Sequence, residues 1–274
     1  MLPFFRRALV GYAFTYRQIT LTKRYWMWEV VFMVYSLATT LAIGFLGAGV
    51  QSVAGPGVDI SRLILYLLTG SLLWGYLAVI FWDISNMITW ERWAGTIEYT
   101  FMAPVSRSVH ILGMCTWTIF YSLMRAIVML IIVALVFHLD LSKSNFVGAL
   151  AVLAVANLSF IGLGTLVAIL PLVSPEKGAQ MTGIVEGILL LVSGVYYDIS
   201  VLPGWMQLIS KLSPATYALR GMRRALLDGD GITALWNEIL PLAILGIVLI
   251  PLGLIIFRRM EIYCKKVGLL KRSG

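Results

Sequence analysis

Charged side chains are scarce in this chain of 274 residues, where Asp, Glu, Lys and Arg make up 12%, against about 25% in a soluble domain. With 60% hydrophobic residues and a mean hydropathy of +0.91, a water-soluble globular domain is excluded and an integral membrane protein is left. Cysteine is nearly absent. Cys115 falls in an apolar run and Cys264 in a basic tail, which excludes a disulfide framework. The two histidines, His110 and His138, form no H-E-x-x-H pair, there is no G-x-S-x-G, and the few acids do not cluster with either. A metal-dependent or nucleophilic intramembrane enzyme therefore has little support. There is also no G-x-x-x-x-G-K-[ST] loop, so the chain has no means of cradling nucleotide phosphates. Finally, Arg6 and Arg7 are followed by Arg17, Lys23 and Arg24 before any long apolar core, a pattern that predicts no cleaved signal peptide.

What is present is a series of long apolar runs. At about 20 residues per crossing, they predict an all-α membrane domain of six spans, at residues 25–50, 63–82, 109–137, 146–170, 178–197 and 238–257. Residues 1–24 precede them, with Phe5, Leu9, Tyr12, Tyr16 and Ile19 at helical spacing and most charge elsewhere on the wheel, as in an amphipathic interface helix. Tyr25, Trp26 and Trp28 form an aromatic belt where the first span begins, and Gly55, Pro56 and Gly57 break the chain after it. Gly148, Gly162 and Gly164, with the alanines around them, suit the fourth span to close helix packing. Residues 198–237 are too polar to span and too apolar for a free loop, and read as short helices dipping into the outer leaflet. A basic tail, 258–274, ends the chain.

Net charge is +8, which in a membrane protein reports topology before it reports nucleic-acid binding. Fourteen of the 21 Lys and Arg lie in residues 1–24, 83–107, 171–180 and 258–274, whereas six lie in the connections on the other side. Both termini and the connection between spans two and three are therefore expected in the cytoplasm, with residues 198–237 outside, and no nucleic-acid partner is expected.

That connection carries ITWERWAGTIEYTFMAPVSR, a charged, glycine-bearing and proline-terminated stretch in an otherwise lipid-like chain. A helix over 88–103 would place Glu91 and Glu98, two turns apart, on one face, and Pro104 would close it. This reads as a docking element. Glu91, Arg92, Gly95, Thr96, Ile97, Glu98 and Pro104 match the pattern E-R-x-x-G-T-hydrophobic-E followed six residues later by proline, and so resemble the cytoplasmic loop between spans two and three of type-2 permeases of ABC exporters. Trp93 and Ala94 stand where that family commonly has charged residues, and Thr100 where it has leucine. The late segment is similar to the family's extracellular pattern through Leu202, Pro203, Trp205, Pro214, Tyr217 and Arg220 or Arg223.

The resemblance implies the membrane subunit of an exporter, in the cell (inner) membrane, paired with an identical chain or a sister permease and driven by two ATP-binding subunits that hold the ATP and magnesium. No cofactor and no enzymatic activity are then expected in this chain. The implied cargo is an amphipathic compound, lipid or glycoconjugate. A polysaccharide or O-antigen type permease is the alternative, and an ion-coupled carrier or channel a further one. By the same resemblance the stretch at 88–103 is the coupling helix, with Glu91 and Glu98 contacting the ATPase or the N-terminal helix, and Gly95 permitting close approach.

Two charges lie inside spans, Arg125 and Glu186. They are expected to pair with each other or with polar groups in the bundle, in a structural or gating role, with substrate contact as the sharper reading. Aromatic residues of the first two spans, among them Tyr35, Tyr66 and Trp74, either line a path for cargo or pack the bundle and meet lipid.

Overall fold

The computed structural model describes residues 2–50 and 59–269. The break expected at Gly55, Pro56 and Gly57, the side chain of Phe5 and the last residues of the basic tail lie outside the described residues. All regular structure among the described residues is helical.

Helix α1, Leu2–Arg24, runs into α2, Trp26–Gly49. The next, α3, is Ile60–Ser85; the Asp59 side chain caps it by accepting from Arg62 N at 3.0 Å. Two short helices follow, α4 at Met87–Trp93 and α5 at Ile97–Met102, and then α6, Arg107–Phe137. Asn145 caps α7, Phe146–Val167, by accepting from Gly148 N at 2.8 Å, and only Ala168 separates it from α8, Ile169–Val173. Next comes α9, Gly178–Val192, then α10, Gly204–Ser210, and α11, Pro214–Leu227, with proline at its first position, where a missing N–H costs nothing. The last is α12, Trp236–Val267.

Five stretches are long and apolar enough to cross a bilayer: Trp26–Gly49, Ile60–Ser85, Arg107–Phe137, Phe146–Val173 and Trp236–Val267. The fifth predicted span, 178–197, is shorter than expected. Its helix stops at Val192 after 15 residues, about 22 Å of rise against a hydrocarbon core of about 30 Å. The chain continues through Gly194 and Val195, whose carbonyls accept hydrogen bonds from the buried Arg223 at 2.9 and 2.5 Å, so backbone outside the helix is satisfied by protein. In contrast, α6 and α12 have 31 and 32 residues, and most of what was expected to be a tail is helix. At about 1.5 Å per residue each exceeds the hydrocarbon core by some 15 Å, and both overhang at the end where α4 and α5 lie.

The core centres on α7, packed along α12 and flanked by α3 and α11. Gly162 makes this approach possible: a methyl group there would stand 2.7 Å from the backbone nitrogen of Ile250. Hydrogen bonds join the layers, Tyr76 Oη donating to Asn157 at 2.9 Å and Ser159 Oγ to the Leu242 carbonyl at 2.6 Å. α1 lies against α6, where Thr15 Oγ1 donates to the Gly113 carbonyl at 2.7 Å, while Leu9, Tyr12 and Tyr16 of the predicted apolar stripe are exposed. One face of α1 is thus on protein and the other is exposed.

The two ends of the bundle differ. α1, α4, α5, α8, the start of α6 and the end of α12 meet at one. The other gathers the α3 start, the α6–α7 connection and α11, through Arg62–Asp228 at 2.8 Å and Asn145 N donating to the Ala225 carbonyl at 2.8 Å. Residues 198–237 therefore lie at the end opposite α4 and α5.

Candidate functional site

The stretch expected to be one helix over 88–103 is an elbow of two. α4 ends at Trp93; Gly95, at φ 67°, turns the chain through the left-handed region, and α5 begins at Ile97. Gly95 N donates to Arg92 O at 3.0 Å and Thr96 N to Glu91 O at 2.9 Å, closing the first helix. The turn overturns the shared face of Glu91 and Glu98: Glu91 is 1% exposed and points inward, and Glu98 is in solvent. Ala103 is extended ahead of Pro104, which ends α5 as expected.

Glu91 holds the inner corner of the elbow. Its Oε1 accepts from Arg17 Nη1 of α1 at 2.6 Å, and its Oε2 from Thr100 Oγ1 at 3.0 Å and from the Thr96 hydroxyl. His110 Nε2 stands 3.7 Å from Oε1, beyond hydrogen-bond length, and the His110 ring packs on Phe14 at 4.5 Å between centroids. Burial alone would raise the Glu91 carboxyl, but His110, Arg17 and Thr96 around it prevail and hold it down at about 2. Of the two contacts expected for Glu91, the structure contains the one to the N-terminal helix.

The other clamps come from helices distant in sequence. Arg92 Nη2 donates to the Leu172 carbonyl of α8 at 3.0 Å. Arg107 donates to the carbonyls of Thr100 and Phe101, both at 3.0 Å, which the last turn of α5 leaves open, and its Nε binds Glu261 of α12 at 2.9 Å. Its guanidinium also lies 4.2 Å from the Phe101 ring centroid. Lys265, one turn beyond Glu261, bonds to it at 2.7 Å and to the Phe101 carbonyl at 3.2 Å. Arg17, Thr100, Arg107, Glu261 and Lys265 were not among the residues expected here. The one signal for them was Glu261, a lone acid four residues before Lys265 in a basic segment.

Held from behind in this way, the elbow presents an apolar outer face. Trp93 is 83% exposed, Met102 83% and Tyr99 79%, with Trp90 edge-on to Trp93 at 6.1 Å and Glu98 beside them. Large exposed apolar side chains grouped on a rigid, charged element mark a contact surface.

The remaining expected residues lie elsewhere. Arg125 and Glu186 do not pair: Arg125 Nη2 donates to the Phe32 carbonyl of α2 at 2.9 Å, and Glu186, half-buried on α9, has no hydrogen bond or ion pair among the described residues. Neither side chain has the other within reach because α6 packs on α1 and α3, whereas α9 leans on α8. Of the aromatic residues, Tyr35 is 73% exposed on the outside of α2, Trp74 packs against the core, and Tyr66 lies under Arg223, 3.5 Å from its guanidinium to the ring centroid. At the far end, Pro203 and Pro214 open α10 and α11, Tyr217 Oη donates to the Lys211 carbonyl at 2.9 Å, and Trp205 and Arg220 are exposed.

A family model described as ABC-2 type transporter matches residues 10–227, which takes in most of α1, all of α2 to α11 and the whole elbow. None of the curated proteins compared with the chain matches it.

Proposed function

Because the chain belongs to the ABC-2 type transporter family, we propose that it is the permease subunit of an ATP-driven exporter, and that the α4–α5 elbow receives the stroke of a separate ATP-binding subunit. The observation that carries this reading is the contrast between the two faces of the elbow. Its outer face offers Trp90, Trp93, Tyr99 and Met102 to a partner, and its inner face is tied to α1, α6, α8 and α12 by charge-assisted bonds.

An element built so transmits force instead of absorbing it. A push on Trp93 is passed through Glu91 to α1, through Arg92 to α8, and through Arg107 and Glu261 to α6 and α12. Two of those, α6 and α12, run on through the bundle, so displacement at the elbow is delivered as rigid-body motion of spans. ATP and magnesium belong to the partner, two copies of which serve a pair of permease chains. The elbow faces the cytoplasm of a cell (inner) membrane, with both termini on that side, in keeping with the distribution of Lys and Arg. The cargo class is an amphipathic compound, lipid or glycoconjugate moved outward.

The test is purification of the full chain in mild detergent from its own host, followed by identification of the companion and of nucleotide-dependent transport in vesicles. An ATP-hydrolysing companion, and transport that stops without ATP, are expected. ATP-independent movement of cargo by the chain alone would overturn the reading.

A further inference from the structure

A cleft opens between α2, α3 and α6, its lining running from Ser36, Val79 and Ser122 on the side of the elbow to Thr40, Ser71 and Met129 at mid-bundle. It lies on the flank of the molecule, where α2 leans on α3 and touches α6 only lightly. Its lining is unusual for a lipid-facing surface. Ser36 and Thr40 come from α2, Ser71 and Tyr76 from α3, and Ser122 and Arg125 from α6.

Two of these groups have hydrogen-bonding capacity to spare. Ser122 is 2% exposed, and its Oγ has no hydrogen-bond partner among the described residues, although buried hydroxyls are nearly always satisfied. Arg125 uses one N–H on the Phe32 carbonyl, and among the described residues no carboxylate lies within ion-pair distance of it. The two nearest acids are engaged differently: Asp83 accepts from Thr118 Oγ1 at 3.0 Å and Glu29 from Tyr121 Oη at 2.9 Å. Both still act electrostatically in this cluster, Asp83 with Arg125 and with Glu29. A guanidinium inside a span is costly unless its donors are used, and neither acid takes a hydrogen bond from Arg125, which leaves donors for an acceptor from outside the chain.

Two further charges lie just outside this lining, on the side of the elbow. Glu29 on α2 and Asp83 on α3 stand one to two helical turns nearer the elbow end than the cleft residues Ser36 and Val79, and their partners Tyr121 and Thr118 precede Arg125 on α6 by the same interval. From the elbow end toward mid-bundle, the sequence is therefore two carboxylates, one guanidinium with an unpaired hydroxyl, and then Met129 beside Thr40 and Ser71, whose hydroxyls bond each other at 3.2 Å. An ion of one sign does not match both layers. A zwitterion does, with its cation outermost and its anion beneath.

We propose that this cleft is a lateral binding site for a zwitterionic phospholipid of the leaflet on the elbow side. The phosphate oxygens accept from Arg125 and Ser122, the head-group ammonium lies against Glu29 and Asp83, and the acyl chains leave between α2 and α6 toward mid-bilayer. This is the orientation in which a lipid of that leaflet already stands. The site does not depend on the lipid being cargo.

Delipidated full-length protein is titrated with phosphatidylethanolamine or phosphatidylglycerol of the same acyl chains, and bound lipid is counted by native mass spectrometry. The wild type is expected to retain the ethanolamine lipid in preference. Arg125→Gln removes charge-assisted hydrogen bonds to phosphate and should lower retention of both lipids about tenfold or more. Glu29→Gln, on the intact fold, should abolish the preference and leave the glycerol lipid undiminished. Inorganic phosphate at millimolar concentration should displace neither. Equal retention of the two lipids by wild type and Glu29→Gln overturns the proposal, as does displacement by free phosphate. Should Arg125→Gln fail to fold, Ser122→Ala gives the same reading: wild-type retention by it and by Glu29→Gln refutes the site. Binding alone is measured, so failure here leaves the transport reading standing.

Discussion

Replacing Glu91 by Gln should loosen the elbow without unfolding the bundle. Its carboxyl is held at about 2 against an ordinary value of 4.5, and the difference corresponds to about 3 kcal/mol in favour of the ionised, paired form. Arg17 is 35% exposed, so solvent screening reduces that figure, and about 2 kcal/mol is the working expectation. The amide retains its bonds to Thr96 and Thr100 in part, which sets the loss on the Arg17 side. A loss of about 2 kcal/mol in local opening is roughly a thirtyfold faster hydrogen exchange, confined to the elbow, because the core helices do not pass through Glu91. The assay is exchange of backbone amides in residues 94–102 by mass spectrometry, with the α7 and α12 peptides as internal controls. The sign of the pH dependence follows from the depressed value: the stabilisation is complete above about 4.5 and is lost as pH falls toward 2. Wild-type protection should therefore be flat from pH 5 to 8 once intrinsic exchange is removed. Protection in Glu91→Gln within twofold of wild type would refute the assignment of Glu91 as the inner tie of the elbow.

Three further outcomes follow from the same geometry. Trp93→Ala with Tyr99→Ala and Met102→Ala should leave thermal stability within about 1 kcal/mol, since all three are exposed, yet abolish copurification of the ATP-binding subunit and ATP-dependent transport. Arg107→Ala strips the α5 carbonyls and Glu261 of a common partner and should cost about 3 kcal/mol, read as a lower melting temperature in detergent, whereas Glu98→Ala should not shift it. Gly162→Val forces a side chain into the backbone of α12 and should destabilise by about 2 kcal/mol or more; if melting is unchanged, the packing of α7 on α12 described above is wrong.

Much of the arrangement is carried by local pattern alone. Apolar runs of about 20 residues predict six crossings, and five of them are helices long enough to span, because a bilayer accepts only a continuous hydrogen-bonded helix of that length. The uneven Lys and Arg count separates residues 83–107 from 198–237, and the structure sets those segments at opposite ends. The motif E-R-x-x-G-T singled out the elbow for the same reason: charge and glycine are anomalies in such a chain. Periodicity nevertheless misreads its shape. It continues one helix through Gly95, since a seven-residue spacing of acids is indifferent to a left-handed turn between them.

What tertiary structure decided is the partnership of each charge. Composition shows that Arg125 and Glu186 need company in a membrane, but which neighbour is reached depends on how α6 and α9 are packed, and they are packed apart. Likewise Arg17, Arg107 and Glu261 are separated by most of the chain and converge on the elbow only because α6 and α12 overrun the bilayer at the same end. The sequence alone determined that this is a membrane protein with a polar element between two spans. The fold decided that the element is bent, that Glu91 faces inward and Glu98 outward, and that it is tied to the bundle through contacts between residues far apart in the chain.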